Sequence, residues 1–265
     1  MYNLQTNVAQ ILDFASQTQV PVTSPRAIIR EYLQSFVIST LYSLPHTEKL
    51  VFVGGTSLRL LRNIDRFSED LDFDNLGLSL SQIKQCVEAV VERMLRERIP
   101  VELYQTHHPT HQYFEFRFPH LLHDLKITTN DKEKLMIKFD TASTWKGHHP
   151  EIILFSRYGF IEHIVTNPLN HLLVQKLASY VQRKQTQPRD LYDIVWLYSQ
   201  GARFDHAFAR INKLTSIIDQ GMEKYAREGL TVTLKARLRP FLFQEDSMTK
   251  LSLIPDVFRA LKETP

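Results

Sequence analysis

The chain has 265 residues, 43% of them hydrophobic, which is apolar content enough for one large or two small packed cores. Its formal net charge of +3 and pI near 8.9 permit nucleic-acid binding without demanding it. The lone Cys86 rules out an intrachain disulfide, and no opening signal peptide or membrane-length apolar run is evident, so the expectation is a cytoplasmic protein with no membrane partner.

Ser24 and Pro25 open a long amphipathic stretch that predicts a helix to about Leu44, packed on a sheet. Residues 50–53 read as a short buried strand, Gly54 and Gly55 permit close backbone approach, and residues 56–63 carry the leucine stripe of a helix. A helix start there attracts anions through its unpaired N–H groups and dipole. The hydroxyls of Thr56 and Ser57 add donors, and Arg66 and Ser68 add a charged and a neutral phosphate contact. In the strand that follows, alternation puts Asp70, Asp72 and Asp74 on one face and Leu71 and Phe73 on the other. Two carboxylates at about 4 Å repel by roughly 4 kcal/mol at an effective dielectric near 20. A bound Mg²⁺ removes that repulsion, and Mg²⁺ is usually held by one or two carboxylates plus nucleotide phosphates. A Gly-Gly turn alone is usually only a turn, and an Asp-x-Asp strand alone is often a solvated edge. The ordered series of strand, Gly-Gly-Thr-Ser, helix and acidic strand is what points to nucleotidyl transfer.

Further along, His107, His108 and His111 surround Pro109, and His148 and His149 adjoin Pro150; both groups lack metal-ligand spacing and read as loop histidines. Residues 113–118 (YFEFRF) alternate as a strand and sheet neighbour. In residues 135–141, Leu135, Ile137 and Phe139 face one way while Met136, Lys138 and Asp140 face the other. Asp140 is thereby a candidate partner of the Asp70–Asp72 pair, although an acid ending a strand also serves turns.

Asn167 and Pro168 form a cap-and-first-turn signature for a helix to about Gln182. At about 100° per residue from Leu169, Lys176 falls near 340°, inside the stripe of Leu172, Leu173, Leu177 and Tyr180. A buried ammonium must snorkel outward or meet an anion. Pro188 opens a second helix, PRDLYDIVWLY, in which Asp190 and Asp193 lie three apart on one side. Asp190 suits a first-turn acid complementing the dipole, whereas Asp193 lies a turn deeper. The remainder reads as helical, notably over 204–220 and 248–262. Arg183, Lys184 and Arg189, with Lys213, Lys224, Arg227, Lys235, Arg237 and Arg239, read either as a phosphate-tracking surface or as a solvated helical face.

GGTSLR followed by RFSEDLDF resembles the first motif of the DNA polymerase beta nucleotidyltransferase superfamily, and more closely that of the AbiEii/AbiGii (MenT-like) toxins of bacterial toxin–antitoxin systems. Ordinary superfamily members more often carry Gly-Ser at this turn. The resemblance covers roughly residues 24–198, and the series Lys176, Arg183, Arg189, Asp190, Asp193 is similar to the later motif of that toxin family. It implies an α+β fold: a polymerase-beta-like core of mixed sheet flanked by helices over residues 1–165, and a helical domain over 166–265 that closes the nucleotide cleft. It implies Mg²⁺-dependent transfer of an NMP unit from an NTP to an RNA 3′ hydroxyl, with tRNA as the expected acceptor, translation blocked as the consequence, and a cognate antitoxin encoded nearby. On this resemblance Asp70, Asp72 and Asp140 hold metal, and Gly55, Thr56, Ser57, Arg66, Ser68, Lys176 and Arg189 meet the nucleotide. Asp193 or Asp190 orients Lys176, and spacing does not choose between them. Two alternatives keep their place: the same site acting on a small molecule or a protein, and a non-catalytic module that binds RNA or a partner.

Overall fold

The computed structural model describes residues 4–107 and 111–263, so His108 and Pro109 lie outside the described residues. Two compact units emerge. The first comprises the chain up to Asn63, Phe67–Thr144 and Ile152–Thr166; the second comprises Ile64–Arg66, Trp145–Glu151 and the chain from Asn167 onward. The second unit thus draws two short segments from before Asn167 into the helical part of the chain.

The first unit contains, in chain order, α1 (Leu4–Gln17), α2 (Pro25–Tyr42), β1 (Leu50–Val53), α3 (Gly54–Arg62), β2 (Leu71–Asn75), α4 (Leu80–Arg96), β3 (Glu102–His107), β4 (His111–Phe118), α5 (Leu121–Asp124), β5 (Leu135–Ala142), β6 (Glu151–Arg157) and β7 (Phe160–Thr166). Its mixed sheet has the order β3-β4-β5-β2-β1-β7-β6. The pairs β1–β2, β3–β4 and β4–β5 are antiparallel, whereas β2–β5 and β1–β7 are parallel. Period-two alternation puts Phe52, Phe73, Phe139 and Phe114 on the buried face, where neighbouring rings lie 5.3, 4.7 and 6.1 Å apart. Such ring pairs add about 0.5–1.5 kcal/mol each beyond their buried area, and they commit the alternate positions to the opposite face. Residues 107 and 111 lie in strands and not in a loop, because the β-ladders extend to them: His107 is the register partner of Gln112, and His111 that of Ala142.

The helix expected to be amphipathic is a core helix. Every residue of α2 from Ser35 to Leu41 is buried, since it packs on β5 and β7 while α1 and α4 pack on it in turn. Its one buried carboxylate, Glu31, is matched by the guanidinium of Arg59 at 2.8 Å, that of Arg157 at 3.4 Å and the hydroxyl of Tyr158 at 3.1 Å. Arg157 also donates to the Leu60 and Arg59 carbonyls and to the Asn63 side chain, so a cation closes the C-terminal end of α3 where the helix dipole favours one.

The second unit is helical: α6 (Leu169–Gln182), α7 (Pro188–Ser199), α8 (His206–Ile211), α9 (Ile217–Glu228), α10 (Val232–Leu238) and α11 (Ile254–Glu263). The continuous helix expected over 204–220 divides between α8 and α9, and that expected over 248–262 begins as a 3₁₀ segment, Glu245–Leu253. The expected cap of α6 also shifts: Pro168 occupies the N-cap, and Asn167 is buried with its amide 3.4 Å from Gln175. Lys224 of α9 is buried, and its ammonium donates to the carbonyls of Tyr180 and Arg183 at 2.7 Å, satisfying the orphan acceptors at the end of α6. Among the described residues no helix is long and apolar enough to cross a membrane.

Candidate active site

The first unit gathers the carboxylates and the turn. Val53, the last residue of β1, is the cross-strand partner of Asp72, and Asp72 is in turn the register partner of Asp140 on the parallel strand β5. Gly54 opens α3 with φ +77°, and a Cβ there would collide with the Asp72 carboxylate. The missing side chain is thus what lets the first turn of a helix lie against an acidic strand. Val53, at the N-cap, offers no side-chain acceptor to that first turn, and the anion that lies against it is the Asp72 carboxylate, at a place where the helix dipole favours negative charge. Asp70 and Asp72 are partly exposed, as is Asp140, whereas Asp74, expected to face the cleft with them, is buried.

The approach to Asp70 is tied down from two sides. The Thr56 hydroxyl, fully buried, donates to the carbonyl of Asp70, and the amide of Gln34 donates to the carbonyls of Ser68 and Glu69 at 3.2 and 2.9 Å. Ser57, also buried, donates to the carbonyl of Gly54 at 2.9 Å. The structure therefore gives both hydroxyls a backbone partner, with Gly55 buried beside them. Arg30, paired with Glu69 at 2.9 Å, and Tyr113, cross-strand from Asp140, both lie within electrostatic reach of Asp70. Partial burial, then Glu115 and the nearby Asp70 and Asp140, push the Tyr113 phenol well above its ordinary value, so it stays protonated. Among the described residues, no three His, Cys, Asp or Glu side chains are already gathered as a metal cluster.

The second unit resolves the misplaced lysine. Lys176 of α6 meets an anion: its ammonium is 2.7 Å from Asp193 and 3.6 Å from Asp190, both on α7. Asp193 has no exposed surface and also receives both arms of Arg66 at 2.6 Å. Burial by itself pushes this carboxyl up, and Arg66 and Lys176 together outweigh it and hold it below the ordinary carboxylate range. Asp190 lies 3.1 Å from Arg183 Nε. Of the two acids whose spacing left the choice open, Asp193 is the one in direct hydrogen-bond range of Lys176. Arg66, expected on sequence grounds to meet phosphate, is buried with its guanidinium on Asp193. Arg189 lies over the Phe241 ring at 4.2 Å. His148 is 3.2 Å from Asn167, and His149 lies near His171.

Sequence reasoning missed Gln34, Glu31 and Arg157, because nothing local marks a polar residue as the tie between two distant backbones. It did mark Lys176, through a periodicity that only a lysine broke.

A model of the nucleotidyl transferase AbiEii toxin family, of type IV toxin–antitoxin systems, matches residues 38–261. The search of curated proteins gave no match. Among solved structures, the fold is similar to MenT4, a nucleotidyltransferase toxin from Mycobacterium tuberculosis, with a TM-score of 0.59 and 18% identity over 97% of this chain and 90% of that one. It is also similar to JHP933 from Helicobacter pylori, with a TM-score of 0.52 and 20% identity over 89% and 94%, and to a putative nucleotidyltransferase from H. pylori, with a TM-score of 0.53 and 20% identity over 89% and 96%. The helix start lying on Asp72, the pairing of Asp72 with Asp140 and a family match across most of the chain converge: this protein belongs to the AbiEii nucleotidyltransferase toxins of type IV toxin–antitoxin systems.

Proposed function

We propose that this nucleotidyltransferase uses Mg²⁺ to transfer an NMP unit from an NTP to the 3′ hydroxyl of RNA, forming the bond from the α-phosphorus to the 3′ oxygen as the bond to the β-phosphate breaks and pyrophosphate leaves, with tRNA as the acceptor and blocked translation as the result, under the control of a cognate antitoxin. The observation that carries the reading is the adjacency of the start of α3 to Asp72 and its register partner Asp140. That adjacency offers an anion site and a carboxylate site side by side, which is what a metal-bound triphosphate requires.

The donor set fits the metal. Asp70, Asp72 and Asp140 supply hard carboxylate oxygens, partly exposed, and one or two of them with phosphate oxygens make the usual Mg²⁺ environment. When bound, the metal neutralises charge at the attacking and leaving oxygens of an in-line displacement. The chain's own residues do the rest. The amides at Gly55 and Thr56 receive the triphosphate at the start of α3, and Ser57 joins them once its hydroxyl leaves the Gly54 carbonyl. Asp140 accepts the proton of the acceptor hydroxyl. Ser68 adds a neutral contact, and Lys176 contacts phosphate. Asp193 orients Lys176, and Arg66 holds Asp193 in place, so Arg66 serves the nucleotide through that carboxylate. Asp190 and Arg183 steady the same corner, and Arg189 offers a cation to phosphate or RNA.

Radiolabelled NTPs incubated with total RNA and, separately, with a protein extract test this directly. Label is expected in RNA and to be lost with Asp72→Ala, whose fold stays intact by circular dichroism. Label in protein or in small molecules instead, or full transfer by the Asp72→Ala protein, would overturn it.

A further inference from the structure

On the reading of an RNA acceptor, we propose that the outward face of β3, β4 and β5 is the docking platform for the unpaired 3′ end of that RNA, whose bases stack on Tyr113 and on the Tyr104–Arg117 pair. The strand register builds the platform as rungs. Thr106, Tyr113, Asp140 and Asp72 form one rung, and Tyr104, Glu115 and Lys138 form the next. The buried face of the same strands is already filled by the phenylalanine ladder, so the outward rings are not needed for the core.

Tyr104 is 44% exposed, and the Arg117 guanidinium lies over its ring at 3.6 Å. Glu115 fixes that guanidinium with contacts of 2.8 and 2.6 Å to Nε and Nη2, which presents a flat, oriented plane to a base. The same carboxylate accepts the Tyr113 hydroxyl at 2.7 Å, so one acid positions both stacking groups. Lys138 lies 6.0 Å from the Tyr113 ring, placed to meet the phosphate between two stacked bases. Aromatic rings and arginine planes interleaved with cations are how proteins hold single-stranded RNA, and a duplex hides the base faces such a surface reads. The platform leads to the chemistry: Tyr113 is cross-strand from Asp140, and Asp72 follows one strand on, about 10 Å from Tyr113 at ordinary strand spacing. A terminal nucleotide resting on Tyr113 brings its 3′ hydroxyl toward the carboxylates.

The test is fluorescence anisotropy with a labelled RNA hairpin ending in a single-stranded 3′ overhang, beside a blunt hairpin. Tyr104→Ala and Tyr113→Ala are each expected to weaken overhang binding by about ten-fold, as the loss of one stacked base does, and Tyr104→Phe, which keeps the ring under Arg117, to retain wild-type binding. The blunt hairpin is expected to bind more weakly and to respond to neither substitution. Thermal melts of each variant check folding; Tyr104 is exposed and Tyr113 partly so. Unchanged overhang binding by the double alanine variant, failure of Tyr104→Phe to retain binding, or a wild-type protein that binds no RNA would each overturn the platform. A wild-type protein that binds overhang RNA through these rings yet labels none would overturn the transfer reading and leave the platform standing.

Discussion

At Lys176 a single side chain sits inside an apolar helical stripe and is stabilised there by a carboxylate with no exposed surface. Asp193 carries two cations, Arg66 and Lys176, and its removal strands both in a poorly solvated place. Asp193→Asn is therefore expected to destabilise the protein by about 3–5 kcal/mol, read from urea unfolding. Lys176→Ala is expected to cost less, about 1–2 kcal/mol, because Arg66 still satisfies Asp193, while the KM for NTP rises. The pH dependence has a definite sign. Asp193 is depressed in the folded state, so its stabilisation is present above the ordinary carboxylate value of 3.8 and is lost as pH falls through the lower folded value. The stability gap between wild type and Asp193→Asn should accordingly be constant above about pH 5 and narrow below pH 4. Gly54 makes the opposite kind of demand, for absence. Gly54→Ala is expected to displace the Asp72 carboxylate and abolish transfer, since both the positive φ and the occupied space forbid the methyl group; an active alanine variant would refute the close approach.

Among elements, α3 and α6 depend on side chains remote in sequence for their ends. Lys224 of α9 closes α6 by donating to its last carbonyls, so Lys224→Met should lower stability by about 1–3 kcal/mol in thermal or urea melts. Arg157 closes α3, whose other end is the proposed phosphate site, and through Glu31 it ties that helix to the buried α2. The short β1 and the alternating β2 and β5 were legible because period-two patterns with phenylalanines on one face admit one register. The hairpin strands β6 and β7 were not legible: Ile152, Leu154 and Ile161 are exposed, so apolarity there does not report burial. The break between α8 and α9 was hidden for a related reason, because helical periodicity continues across residues 212–216 while the backbone does not.

For the whole molecule, the modest net charge of +3 conceals a division of labour among its cations. Lys224 and Arg237 are committed to backbone and side-chain acceptors inside the helical unit, whereas Arg183, Lys184, Lys213, Arg227 and Lys235 are exposed. Neutralising Lys184 is expected to reduce the salt slope of single-stranded RNA binding by about 0.7, and Lys224→Met to leave that slope unchanged; log–log titrations of affinity against salt decide the matter. By itself the sequence determined the acidic strand, the Gly-Gly helix start, the third carboxylate strand and the family, because each is a local pattern of residue types at fixed spacing. Tertiary structure decided which carboxylate meets Lys176, that Arg66 serves that carboxylate, that Asp74 is buried, and that the hydroxyls of Thr56 and Ser57 donate to backbone. The physical reason is one of range. Periodicity assigns a side chain to a face, but the partner that fixes its charge or its hydrogen bond sits on another element or in another turn, which no local period encodes: Asp193 comes to Arg66 across 127 residues, and the Asp70 carbonyl comes to Thr56 across 14.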